Sequence, residues 1–160
     1  MQTLLRFVRL LAIVLWVGGL CFFAFVVAPT AFGVLPSKHL AGLVVGGTLN
    51  ILHTIGLLCG AFFFAATILT PRNRVRRLFQ LSLVALMLAL TLYLRMNVVP
   101  AMERDRIAAG GDVDAAPANN PARLDFEHLH PFSEKLEGVV LFAGLGVVFL
   151  MAGERDTLSS

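Results

Sequence analysis

At 160 residues, 58% of them hydrophobic and only 14% charged, with a mean hydropathy of +0.82, the chain lies outside the range of water-soluble domains, where roughly a quarter of residues carry charge. It reads as an integral membrane protein. The net charge of +3 does not point to nucleic acid, because the basic residues cluster at the ends of apolar runs and are not interleaved with aromatics along one face.

The first apolar run, residues 10–27, follows Arg6 and Arg9 and leads into Ala28-Pro29-Thr30-Ala31-Phe32. A signal-peptide core reaches about 15 residues at most, whereas this stretch approaches the roughly 20 that cross the hydrocarbon, so a first transmembrane helix is expected here. Trp16 lies near its middle and is expected to pack between helices beside Gly18 and Gly19. The second run, 40–69, carries Gly42, Gly46, Asn50, His53, Gly56 and Gly60 at steps of three and four, which is one stripe of a helix. Small residues at that spacing mark a packing face, so Asn50 and His53 are expected to point into the bundle. The run ends at the turn Pro71-Arg72-Asn73-Arg74-Val75-Arg76-Arg77, whose four arginines assign it to the cytoplasm.

The third run, 77–99, returns outward with Tyr93, Arg95 and Asn97 near its outer end, before Pro100. Arg95 either snorkels to the headgroups or faces inward toward an acid. Residues 101–135 hold seven acids against four bases, and 108–121 within them reads as a flexible loop, because Gly, Pro and Asn break both helical and strand periodicity. The fourth run, 136–151, goes back inward. His130, Ser133, Glu137, Leu141 and Gly144 form a second stripe, and Pro131 either opens a helix or kinks a longer one starting near Asp125. The expected fold is therefore all-α, a single integral membrane domain over 1–160 forming a four-helix transmembrane bundle, with helices at about 7–33, 40–69, 76–106 and 124–152. Both termini, including the tail 154–160, are expected in the cytoplasm, the segment 100–135 outside, and the whole in the inner (cytoplasmic) membrane.

Counted at about 1.5 Å per residue through a core about 30 Å thick, His53, Arg95 and Glu137 come to one level, roughly 9 to 11 Å outward of the midplane. Asn50, Asn97 and Ser133 come roughly 13 to 15 Å outward. Guanidinium binds carboxylate bidentately, so Arg95 is expected to take Glu137, with Glu137 to His53 as the other pairing. Together with His130 these residues outline an outward-facing polar cavity above a dry apolar inner half, where Cys21, Cys59 and Thr67 are the polar groups counted. An outer metal site from His39, His128, His130 and Glu127 is the candidate for zinc or copper. Haem held by two histidines is disfavoured, since His130 lies roughly 19 Å out against roughly 9 Å for His53. Cys21 and Cys59 form neither a disulfide framework nor a zinc motif, and no hydrolase, nucleotide or metalloprotease motif is present.

Trp16-x-Gly18-Gly19, Ala28-Pro29-x-x-Phe32, Asn97-x-x-Pro100 and Phe126-x-x-Leu129-His130-x-x-Ser133, in this order on a four-span chain, resemble the transmembrane protein 205-like family, whose biochemical activity is unknown. The resemblance implies a compact four-helix membrane protein, carries over His130 and Ser133 by motif, and brings a loose association with resistance or export. The first functional expectation is a small transporter or resistance protein binding a small polar solute or metal ion, a homo-oligomer supplying a path through glycine faces. The alternatives are a haem- or copper-binding redox subunit and an accessory subunit of a larger membrane complex.

Overall fold

The computed structural model describes residues 1–70 and 74–153. Pro71, Arg72 and Asn73 of the basic turn and the tail 154–160 lie outside the described residues. Among the described residues every regular element is helical. Four helices are long and apolar enough to cross a membrane, Gln2–Val34, Lys38–Ile68, Arg74–Ala108 and Pro121–Ala152. The chain is a multi-pass membrane protein, and phenylalanines such as Phe25, Phe142 and Phe149, 74 to 79% exposed, face lipid, where apolar surface carries no penalty.

The first and third spans are each interrupted in the same way. The first consists of α1 (Gln2–Phe22), a π segment (Phe23–Val27) and α2 (Ala28–Val34); the third of α4 (Arg74–Tyr93), a π segment (Leu94–Val98) and α5 (Val99–Ala108). Both π segments stop just before the residue that precedes a proline. A proline has no N–H, and its ring presses on the carbonyl four residues back. The chain absorbs this by widening the turn: the Ala28 N–H reaches back five residues to Phe23 O, and the Val99 N–H to Leu94 O.

The second and fourth spans are single helices with side-chain caps. α3 (Lys38–Ile68) opens at Ser37, whose Oγ accepts from the Leu40 N–H at 3.2 Å. α6 (Pro121–Ala152) opens at Asn120, whose Oδ1 accepts from the N–H groups of Ala122 and Arg123 at 2.9 and 3.3 Å, with Pro121 at the first helical position, where its missing N–H costs nothing. Pro131 therefore lies well inside a longer helix and does not open one. Between α5 and α6, Gly110 and Gly111 adopt φ of 93° and 94°, and the Gly111 N–H closes back onto Arg106 O at 2.9 Å, a left-handed helix stop that favours glycine. The connection read as a flexible loop is tied down by arginine: Arg123 Nη1 donates to Ala116 O at 2.8 Å, and Arg106 Nη1 to Gly111 O at 3.1 Å.

α1 packs on α3 and α6, and α4 packs on the same two helices. The spans thus form a ring in which α1 stands opposite α4 and α3 opposite α6. Arg76 Nη1 donates to Gly153 O at 2.6 Å, and Arg9 meets Thr67, so both ends of the described chain share one end of the bundle, the termini end, with the end of α3 and the start of α4. The 109–120 connection marks the loop end. Trp16, Phe63, Val84, Met87, Val140 and Val147 fill the centre. Trp16 does pack between helices, but the glycines that admit it are Gly56 and Gly60 of α3: a Cβ on Gly56 would stand 2.3 Å from Trp16 Nε1, and one on Gly60 2.5 Å from Cζ3. Gly18 faces open space and Gly19 faces Leu52.

Candidate functional site

The polar residues of the bundle axis form two crossings, one toward each end. Toward the loop end, His53 of α3, 2% exposed, lies on the same face as Gly56 and Gly60, which the spacing of three and four residues dictates. Its Nε2 is hydrogen bonded to Oε1 of Glu137 on α6. Because α3 and α6 stand opposite each other in the ring, this bond passes across the bundle axis. His53 Nδ1 and Glu137 Oε2 are also buried, and neither has a hydrogen-bond partner among the described residues. Ser133, one turn from Glu137 toward the loop, is buried and donates to His130 O at 2.7 Å.

Of the two expected pairings it is the second, Glu137 with His53, that forms, and not the first, in which Arg95 took Glu137. Arg95 instead donates from Nη1 to Thr54 Oγ1, on the outer side of α3. The reason is helical phase: Leu94 and Val98 are the buried residues of the π segment, and a residue next to a core position is turned about 100° away from it. The same geometry separates Asn50 from His53. Three residues apart, they differ by about 60° around the helix, and Asn50 is exposed while His53 is buried. The glycine stripe divides accordingly, with Gly42 and Gly46 facing open space. Asn97 is exposed and donates from Nδ2 to Tyr93 O at 3.3 Å.

His130 lies on the flank of α6, stacked on Phe126 at 5.9 Å and 3.4 Å from Glu134. Among the described residues it makes no hydrogen bond or ion pair with His53. The candidate outer metal ligands do not converge either. Glu127 is held by Arg123 at 2.8 Å, His128 is exposed and His39 partly so, and among the described residues no three His, Cys, Asp or Glu side chains are grouped to hold a metal ion.

Toward the termini end lies a second crossing, which the sequence reading missed. Arg9 of α1 is completely buried. Its Nε donates to Thr67 Oγ1 at 3.0 Å and its Nη2 to Gln80 Oε1 at 2.8 Å, while the guanidinium sits 5.2 Å from the centre of the Phe63 ring. Thr67 Oγ1 in turn donates to Phe63 O at 2.7 Å. This crossing joins the other opposed pair, α1 and α4. The half of the bundle toward the termini end, expected to be dry, is therefore not dry. A signal was available: Arg9, Ile13, Trp16 and Leu20 are spaced four, three and four apart, so the helix that buries Trp16 also buries Arg9. At 1.5 Å per residue along α3 the two crossings stand about 21 Å apart, and the Trp16 and Phe63 layer fills the space between them.

Residues 11–106 match the model of a family described as a domain of unknown function, DUF4149. No curated protein and no solved structure matches the chain. The match covers more than half of the chain, most of the first three spans with Trp16, His53, Gln80 and Arg95 among them, and leaves out Arg9 and Glu137. This four-span membrane protein belongs to the DUF4149 family.

Proposed function

We propose that the protein is a small transporter or resistance protein, and that His53 and Glu137 together are its binding element for a small polar solute. The observation that carries this reading is the pair of buried, unpartnered atoms, His53 Nδ1 and Glu137 Oε2, beside the bond that joins the two side chains across the axis. A buried polar atom without a partner costs on the order of 1–3 kcal/mol, and ionisable groups within membrane spans mark substrate and ion paths. When Nε2 carries the proton shared with Oε1, both free atoms are acceptors. The solute that fits them presents N–H or O–H donors, and a positive charge on it would complement the carboxylate. The likeness to the transmembrane protein 205-like family, with its association with resistance or export, supports the same direction.

Arg9, Thr67 and Gln80 add to this reading a second polar station toward the termini end, with Trp16 and Phe63 as the apolar layer that must part for passage. The test is made in cells expressing the protein and challenged with a panel of polar cationic solutes and metal ions. His53→Ala and Glu137→Gln should each abolish the resistance or uptake phenotype at unchanged membrane abundance. If both variants behave as the unmodified protein does, the pair is a structural brace and the reading fails.

A further inference from the structure

The outside of the bundle carries a charged group that no acidic side chain among the described residues neutralises. Arg95 is half-buried in the groove between α3 and the third span and donates to Thr54 Oγ1. Thr54 Oγ1 donates in turn to Asn50 O at 3.1 Å. Asn50 and Thr54 lie one turn apart on the exposed face of α3. Among the described residues Arg95 makes no ion pair and the Asn50 carboxamide no hydrogen bond, and Glu137, which counts to a similar depth, is engaged by His53.

Val99 is four positions beyond Arg95, so the Arg95 Cα lies about 6 Å below the end of the apolar stretch. That places a fixed charge within a side chain's length of the lipid headgroups. A guanidinium keeps its charge and offers a planar fork of donors suited to phosphate oxygens. A second copy of the chain is the weaker candidate partner for this groove, because α3 contains no acidic residue and the third span none before Glu103. Apposed copies would bring like charges together with nothing to balance them. We propose that Arg95, held in place by the Thr54 hydroxyl that accepts from it, forms with the Asn50 carboxamide a binding site for the phosphate of an anionic phospholipid in the leaflet at the loop end. This site is separate from the His53 and Glu137 crossing, and its test does not depend on the transport reading.

The experiment is native mass spectrometry of the purified full-length protein in mild detergent, titrated in turn with phosphatidylglycerol, phosphatidylcholine, a phosphate-free galactosyl diacylglycerol and inorganic phosphate. Phosphatidylglycerol should be retained in preference to the other two lipids. Arg95→Gln should weaken that retention by roughly tenfold, the loss of one charge-assisted contact, Arg95→Lys by less, and Asn50→Leu measurably. Should Arg95→Gln fail to fold, Arg95→Lys and Asn50→Leu still decide the matter. Equal retention of the galactolipid, or undiminished phosphatidylglycerol binding in all the variants, would overturn the proposal. So would full displacement by millimolar inorganic phosphate, which would mean a site for a free anion, or a lipid-independent dimer that Arg95→Gln dissociates, which would mean an interface between copies.

Discussion

His53 is buried so completely that Glu137 is its hydrogen-bond partner among the described residues, and removing either side chain leaves the other with a polar atom that water cannot reach. Glu137→Ala should therefore lower stability by about 1–3 kcal/mol. A double-mutant cycle with His53→Ala should return a coupling of about 0.6 kcal/mol and no more than about 1.7, the average and upper value for interhelical hydrogen bonds in membranes, measured by reversible denaturation in mixed micelles; strictly additive losses would show that the two side chains do not interact. Arg9 makes a sharper case, since two hydrogen bonds from a buried cation are lost together. Arg9→Ala should cost at least about 2 kcal/mol, whereas Arg104→Ala, at an exposed position, should stay within about 0.5 kcal/mol. Equal, small effects in the two variants would mean that Arg9 reaches the headgroups. His53 and Glu137 could be found from stripe and depth, because both are consequences of helix geometry. Which of the two pairings open to Glu137 forms could not, because it turns on where Arg95 points, and the π segment ahead of Pro100 bears on that phase.

At the scale of the helices, proline and glycine do the shaping. Pro29 and Pro100 each widen the turn before them, so the first and third spans bend their phase toward the loop end while staying long enough to cross. Gly56 and Gly60 supply the recess in α3 into which the Trp16 indole fits. Adding a methyl group at Gly56 forces a buried ring or a backbone to move, so Gly56→Ala should destabilise by about 1–3 kcal/mol. Gly46→Ala meets nothing within 4 Å and should be neutral or stabilising by up to about 1 kcal/mol, as expected for removing a helical glycine. Thermal unfolding of the two variants in the same detergent separates them, and the reverse order would place the packing face of α3 on the Gly42 and Gly46 side. A run of glycines at steps of three and four is legible in the sequence; which part of it meets a neighbouring helix is not, since that depends on where the facing helix carries its large side chain.

For the molecule as a whole, the arginines at the termini end, Arg6, Arg74, Arg76 and Arg77, favour the cytoplasm for that end by the bias of positive charge toward the inside. A cysteine introduced at Ala118, exposed in the 109–120 connection, should then react with a membrane-impermeant maleimide added outside intact cells, with the unmodified protein as the control for Cys21 and Cys59. Labelling only after the membrane is opened would reverse the orientation. The number of spans and the helical class follow from the sequence by itself, because the length of an apolar run is a local property matched against the thickness of the bilayer. The residues on the axis are a different matter. A side chain's direction changes by about 100° with each residue, so an error of one position moves a polar group from the centre of the bundle to the lipid. Packing of four helices in a ring sets that phase: it decided that His53 meets Glu137 on one diagonal and that Arg9 meets Gln80 on the other, and together with the π segment before Pro100 it left Arg95 facing outward.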